Sequence, residues 1–299
     1  MTSPSTRPGR IAAWLGWPAG LVLALAHAAG ALPTPVFGVL AAAYLAAMLL
    51  LVRRRGGRHD PVAAALVLIG PAVFALAGLT GAPTARLPAV MLANAAVLLI
   101  AAATVLVAAV LLALRVGPEG RPRAALGVTA LVVGSAGYLL NLLARGAVVA
   151  SGAAGQQVAV EDTAWVASAY LTGLPPEPTP LAVLLVWLDL AQLAYVVLAY
   201  LGYAGLASAL RGTVSAPVAR AVARGGVGLA GLTVVAAVGA AVLPGAVASA
   251  AAEAAFVLTI PFMSTLLPYA VGTGLLSRST QPPSTDEVSA VREIRPAAR

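Results

Sequence analysis

The 299 residues are 61% hydrophobic and only 9% charged, and the net charge of +8 comes from 18 basic residues that are all arginine. Soluble domains carry about 25% charged residues, which excludes a water-exposed globular fold. Apolar runs of roughly 20 residues, each long enough to cross a bilayer, recur along the chain. The pattern is that of an all-α polytopic transmembrane helix bundle, because the runs lack the alternating ten-residue strands of a membrane β-barrel.

Eight spans are expected, near 11–29, 33–52, 61–81, 89–115, 124–150, 179–209, 225–244 and 248–276, as one helical domain over 1–276. Proline and glycine mark many of the breaks, as in "ALPTP" (31–35), "VGPEGRPR" (116–123) and "LPPEPTP" (174–180). The first span raises a rival. "RPGR", an apolar stretch and "AHA" (26–28) resemble a cleaved signal peptide, which would leave seven spans. The apolar stretch is longer than the 7–15 residues of a signal core, which favours a retained span.

Arginines alternate with the spans. Arg7 and Arg10 precede the first, "RRRGGRHD" (53–60) follows the second, and Arg115, Arg121 and Arg123 follow the fourth. Arg211, Arg220 and Arg224 follow the sixth, and Arg278 the eighth. The other connections hold Arg86, Glu161, Asp162 and Glu177. By the positive-inside rule both termini are cytoplasmic and the protein lies in the plasma membrane. The long 152–178 connection is then external, and its 160–170 stretch is suited to lie in the interface with Trp165 and Tyr170 as anchors. The tail 277–299 is polar and Pro-rich, the composition of a disordered segment.

Strongly polar side chains interrupt these spans. Asn94, Asn141, Arg145, Asp189 and Glu253 fall toward the outer half, and Gln192 sits close to mid-depth. Arg145 and Asn141 share a helix face that Tyr138 and Gly134 continue, while Asp189, Gln192, Tyr200 and Tyr203 lie within about an 80° arc of the sixth span. A charge near the membrane centre costs about 2.5–3.5 kcal/mol and marks function by default. These six residues are therefore candidate binding residues of a polar cavity open to the outer face, with Arg145 as its cation and Asp189 and Glu253 as its carboxylates. The competing reading is structural, since polar groups also staple membrane helices together. It is preferred for Asn94, Asn141, Gln192 and His27, and Tyr200 and Tyr203 also suit an interface. Pro261 and Pro268 are expected to kink or unwind the eighth span, and Gly16-x-x-x-Gly20 and the 224–239 run provide faces for close packing.

Several chemistries are closed. Without cysteine there is no thiolate metal site or thiol redox, and without lysine no Schiff base. His27 and His59 are the only histidines, so no cofactor or metal is expected. No basic stripe is interleaved with aromatics, which excludes nucleic acid as a partner. The expected partners are the lipid bilayer, a small-molecule solute and another membrane protein docked on Gly/Ala-rich faces. The best-fitting function is a small-solute transporter or membrane-embedded binding protein. The alternatives are a non-catalytic accessory or assembly subunit and an integral membrane enzyme using Asp189 and Glu253 as acid and base, for which no H-E-x-x-H or G-x-S-x-G motif is present.

Overall fold

The computed structural model describes residues 7–55, 57, 59–79, 88–150, 180–211, 213–259 and 263–278. These form an all-helical bundle, with no strand among the described residues. The α-helices are α1 (Arg7–Ala28), α2 (Thr34–Arg54), α3 (Pro61–Leu79), α4 (Pro88–Ala113), α5 (Arg121–Ala150) and α6 (Pro180–Ala209). They continue with α7 (Ala216–Val242), α8 (Gly245–Thr259) and α9 (Leu266–Arg278). Short 3-10 turns at Pro118–Gly120 and Met263–Thr265 lead into α5 and α9. The expected interfacial stretch 160–170 and the tail beyond 278 lie outside the described residues.

Among the described residues, five helices are long and apolar enough to cross a membrane, or six if the bent pair α8–α9 is one span. Helices α1 and α3 contribute shorter apolar stretches, Trp14–His27 and Pro61–Leu76. The seventh helix starts at Ala216, nine residues before its expected start, because Pro217 at its second position is already pre-set for helix. Indeed α2 to α7 each carry proline at their first or second position, where its missing N–H costs nothing. The last segment is not one helix: α8 and α9 meet at a 50° bend. Pro268 does not break it, since it occupies the first turn of α9.

The bundle has two hubs. Helix α3 is flanked by α1, α2, α4 and α9, and α6 by α5, α7 and, more lightly, α4, α8 and α9. Close approach rests on glycine. A Cβ on Gly127 of α5 would lie 2.6 Å from the Gly202 carbonyl oxygen of α6, and one on Gly226 of α7 would lie 2.6 Å from the Tyr200 carbonyl oxygen. Gly16 and Gly20 are spent inside the chain, against Tyr269 and Met48 and against Tyr44 and Phe74. Among the described residues two glycines have positive φ, Gly30 and Gly245, and they make the tight turns before α2 and at the start of α8.

The arginine-bearing ends converge. Arg115 after α4 pairs with Asp60 before α3 at 2.9 Å, while the other Asp60 oxygen caps α3 through the Ala63 N–H. Gly120 before α5 abuts the Ala209 carbonyl that ends α6, and Gly274 of α9 abuts Val214 and Val218 at the start of α7. The outside of the bundle is aliphatic, with Val39, Val110, Leu126, Leu140, Val227 and Val242 exposed, whereas Tyr138, Tyr195, Tyr200, Tyr203 and Tyr269 are buried. That inversion suits a hydrocarbon surround, since water-soluble monomers rarely expose so much contiguous apolar surface. Tyr200 and Tyr203 are thus core residues, and the interface placement is corrected.

Glycine contacts make a signed prediction. Gly127→Ala forces the α5–α6 backbones apart and should destabilise the detergent-solubilised protein by about 1–3 kcal/mol. Gly137, on the same helix with nothing within 4 Å of its Cβ position, should accept alanine with a gain of up to about 1 kcal/mol. Equal effects of the two substitutions on thermal unfolding would contradict this packing.

Candidate functional site

Two prolines lie at mid-helix in the first half of the chain, and a third falls in sequence between two helices. Pro18 is the twelfth of 22 residues in α1 and Pro71 the eleventh of 19 in α3. In sequence Pro261 falls in the break between α8 and α9, although its own position lies outside the described residues. A mid-helix proline deletes one backbone hydrogen bond and frees a carbonyl. In hydrocarbon no water repays that loss, so neighbouring side chains must.

Such side chains are present at the end of α8, where the helix stops short of the break. Helix α8 ends on the carbonyls of Leu258 and Thr259; Tyr200 Oη donates to the first at 3.0 Å and Gln192 Nε2 to the second at 3.1 Å. Beyond the break, Trp17 Nε1 donates to Thr265 Oγ1 at 2.8 Å, and Tyr195 Oη lies 3.4 Å from Ser264 Oγ. Tyr203 Oη reaches the Val105 carbonyl of α4 at 3.4 Å. Helix α6 thus supplies most of the donors, and α1 supplies the indole.

Three aromatic members of the layer lie near mid-length of their helices. Tyr195 is the sixteenth of 30 residues in α6, Tyr138 the eighteenth of 30 in α5, and Trp17 the eleventh of 22 in α1. The Tyr138 and Tyr195 rings stack, with centroids 4.3 Å apart and planes at 10°. Trp17 meets Phe74 edge-on, and Gly70 leaves room for it, since a Cβ there would stand 2.9 Å from the indole and 3.0 Å from Thr265 Oγ1. A cavity with space for about one water molecule lies between these groups. Tyr138, Tyr195, Ser264 and Thr265 form its polar wall, and Val73, Leu98, Ala102 and Val105 contribute to the apolar one.

The candidate residues read from the sequence are distributed unevenly. Asn141 is fully buried and its amide donates to the Leu188 carbonyl, one turn from the tyrosine pair. Gln192 belongs to the layer itself. Glu253 is exposed on α8, away from the layer. The side chains of Asn94, Arg145 and Asp189 lie outside the described residues. His27 Nδ1 meets the Leu32 carbonyl at 2.8 Å, so that nitrogen carries the proton, and the ring stacks on Phe37. Thr104 and Thr233 hydroxyls bond to their own helices. Sequence reasoning missed Trp17, Tyr195, Ser264 and Thr265 as a group. The available signal was the run of prolines at the middle of separate apolar segments. Among the described residues no three His, Cys, Asp or Glu gather as a metal site.

Comparison with known proteins finds no match among family models, curated proteins or solved structures.

The Trp17–Thr265 bond has a direct check. Trp17→Phe and Thr265→Val should each destabilise the protein, and the double variant should cost less than the sum. The coupling expected for a hydrogen bond between membrane helices is about 0.6 kcal/mol and at most about 1.7 kcal/mol. Strict additivity in a double-mutant cycle would remove this bond from the account.

Proposed function

We propose that this chain is an eight-span plasma-membrane protein that binds and moves a small polar solute at a site around the α8–α9 break. The observation that carries this reading is the discontinuous last segment, met at its break by polar side chains from α1 and α6. Solute sites of membrane carriers sit at such broken helices near the bilayer midplane, where backbone and hydroxyl groups are available without a water-filled loop. The convergence of arginine-bearing ends supports a cytoplasmic face at that end, with both termini inside. Asn141, bonded beside Leu188, and positions 145 and 189 then lie between the layer and the outer face, along the approach a solute takes from outside. The cavity's present size corresponds to a closed form, and opening requires α8 and α9 to change their angle.

A second reading, an accessory subunit, is favoured by one feature. Glu253 projects from α8 on a face with exposed Ala246, Ala250 and Ala254, and a carboxylate facing hydrocarbon calls for a partner.

Because the chain has no native cysteine, single cysteines report both topology and access. Gly30→Cys should react with a membrane-impermeant thiol reagent from outside, and Gly117→Cys only after the membrane is opened. Ser264→Cys should react from outside in the closed–open cycle of a carrier; complete inertness of Ser264→Cys and Thr265→Cys, with Gly30→Cys labelled, would leave the break purely structural. In proteoliposome counterflow with a panel of small solutes, Asp189→Asn and Arg145→Ala should each lower uptake at least about tenfold, the loss of one charged contact. Unchanged uptake in both takes these residues out of the mechanism.

A further inference from the structure

The arginine-bearing end carries a groove whose geometry follows from helix phase. On α6, Leu201 is exposed and Gly205 and Ser208 are half-buried, on one outward strip between α5 and α7. Gly205 lies against the main chain of α5: a Cβ there would stand 3.3 Å from the Arg123 carbonyl oxygen. At 100° per residue Arg123 points about 40° to one side of Gly127, which touches α6, while the buried Ala124 points about 60° to the other. Arg123 is therefore on the outward flank of α5, beside the strip.

The opposite rim is built by α7. Gly226 packs against Tyr200 and Ala204 of α6, which fixes the register. Arg220 lies about 9 Å from it toward the arginine-bearing end, whereas Arg224 points about 160° away from Gly226 and so away from α6. Val218 touches α9, and Arg220 lies about 160° around the helix from it, on the outward side. Arg211 follows the end of α6, and Arg123, Arg211 and Arg220 are exposed. Of the described carboxylates at this end, Asp60 is paired with Arg115 and Glu119 precedes α5. None lies on these outward strips. Toward mid-membrane the strips become apolar, with Leu126 and Val133 on α5, Leu190 on α6 and Val227 and Val234 on α7.

We propose that this groove binds an anionic phospholipid: Arg123, Arg211 and Arg220 hold the headgroup phosphate over the small floor of Gly205 and Ser208, and the acyl chains run along the apolar strips of α5, α6 and α7. Basic pockets between membrane helices at the cytoplasmic face suit such headgroups, and arginine's fork matches phosphate geometry. The inference rests on the membrane reading and is independent of solute transport.

The test uses the full chain in nanodiscs of phosphatidylcholine, titrated with phosphatidylglycerol of the same acyl chains, with retained lipid counted by native mass spectrometry. Phosphatidylglycerol should be retained in preference to phosphatidylcholine. The triple variant Arg123→Gln/Arg211→Gln/Arg220→Gln should bind it about 100-fold more weakly, roughly fivefold per arginine. The control triple Arg53→Gln/Arg54→Gln/Arg121→Gln, with the same charge loss elsewhere on this end, should lose less than about threefold. If the groove triple fails to fold, the exposed Arg220→Gln alone should lose roughly fivefold. Equal retention of the two lipids, or equal losses in the two triples, overturns the site. Displacement by soluble glycerol 3-phosphate as effective as by the lipid overturns the acyl track.

Discussion

In hydrocarbon an unpaired backbone carbonyl has no water to turn to, and the rest of this bundle is arranged around that constraint. The last apolar segment breaks after Thr259, which leaves the final carbonyls of α8 without the N–H groups of a further turn. Tyr200 and Gln192 take two of them, and Trp17 and Tyr195 engage the hydroxyls that follow the break. Three of these four side chains come from α6, so α6 must pass through the middle of the bundle. The fourth comes from α1, which explains why a glycine, Gly70, stands where α3 would otherwise block the indole.

The long helices follow from the same requirement. Helices α5 and α6 are 30 residues each, and glycines at 127, 202 and 205 let their backbones touch at the arginine-bearing end. Further along, the same contact stacks Tyr138 on Tyr195 and brings Asn141 to Leu188. A register shift of one residue would rotate each of these groups by 100° and dissolve all three contacts together. Charge has a separate role: it gathers at one end, where Arg115 and Asp60 join two connections in a pair that contributes modestly at an exposed site.

Much of the architecture was legible in the sequence because hydropathy and proline act locally. Apolar run length located the helices, and proline at the start of α2 to α6 lay close to their expected beginnings. The failures have physical causes. The arginines at 220 and 224 pushed the expected start of the seventh span inward, yet a helix continues through charged turns once it leaves the hydrocarbon. Tyr200 and Tyr203 resembled interface residues because a tyrosine near a helix end has that preference on average. Here the phase of α6 turns both inward, onto carbonyls of α8 and α4.

The sequence by itself determined the class of the molecule, the approximate helices and the clustering of its arginines in alternate connections, since each is a property of composition or of neighbours along the chain. Only the tertiary structure decided which polar side chains meet. Asn141 and Gln192 join a buried network and Glu253 does not, although all three are polar residues in apolar segments. The difference lies in helix phase and in which helix comes alongside, and those depend on glycine contacts between segments far apart in the chain.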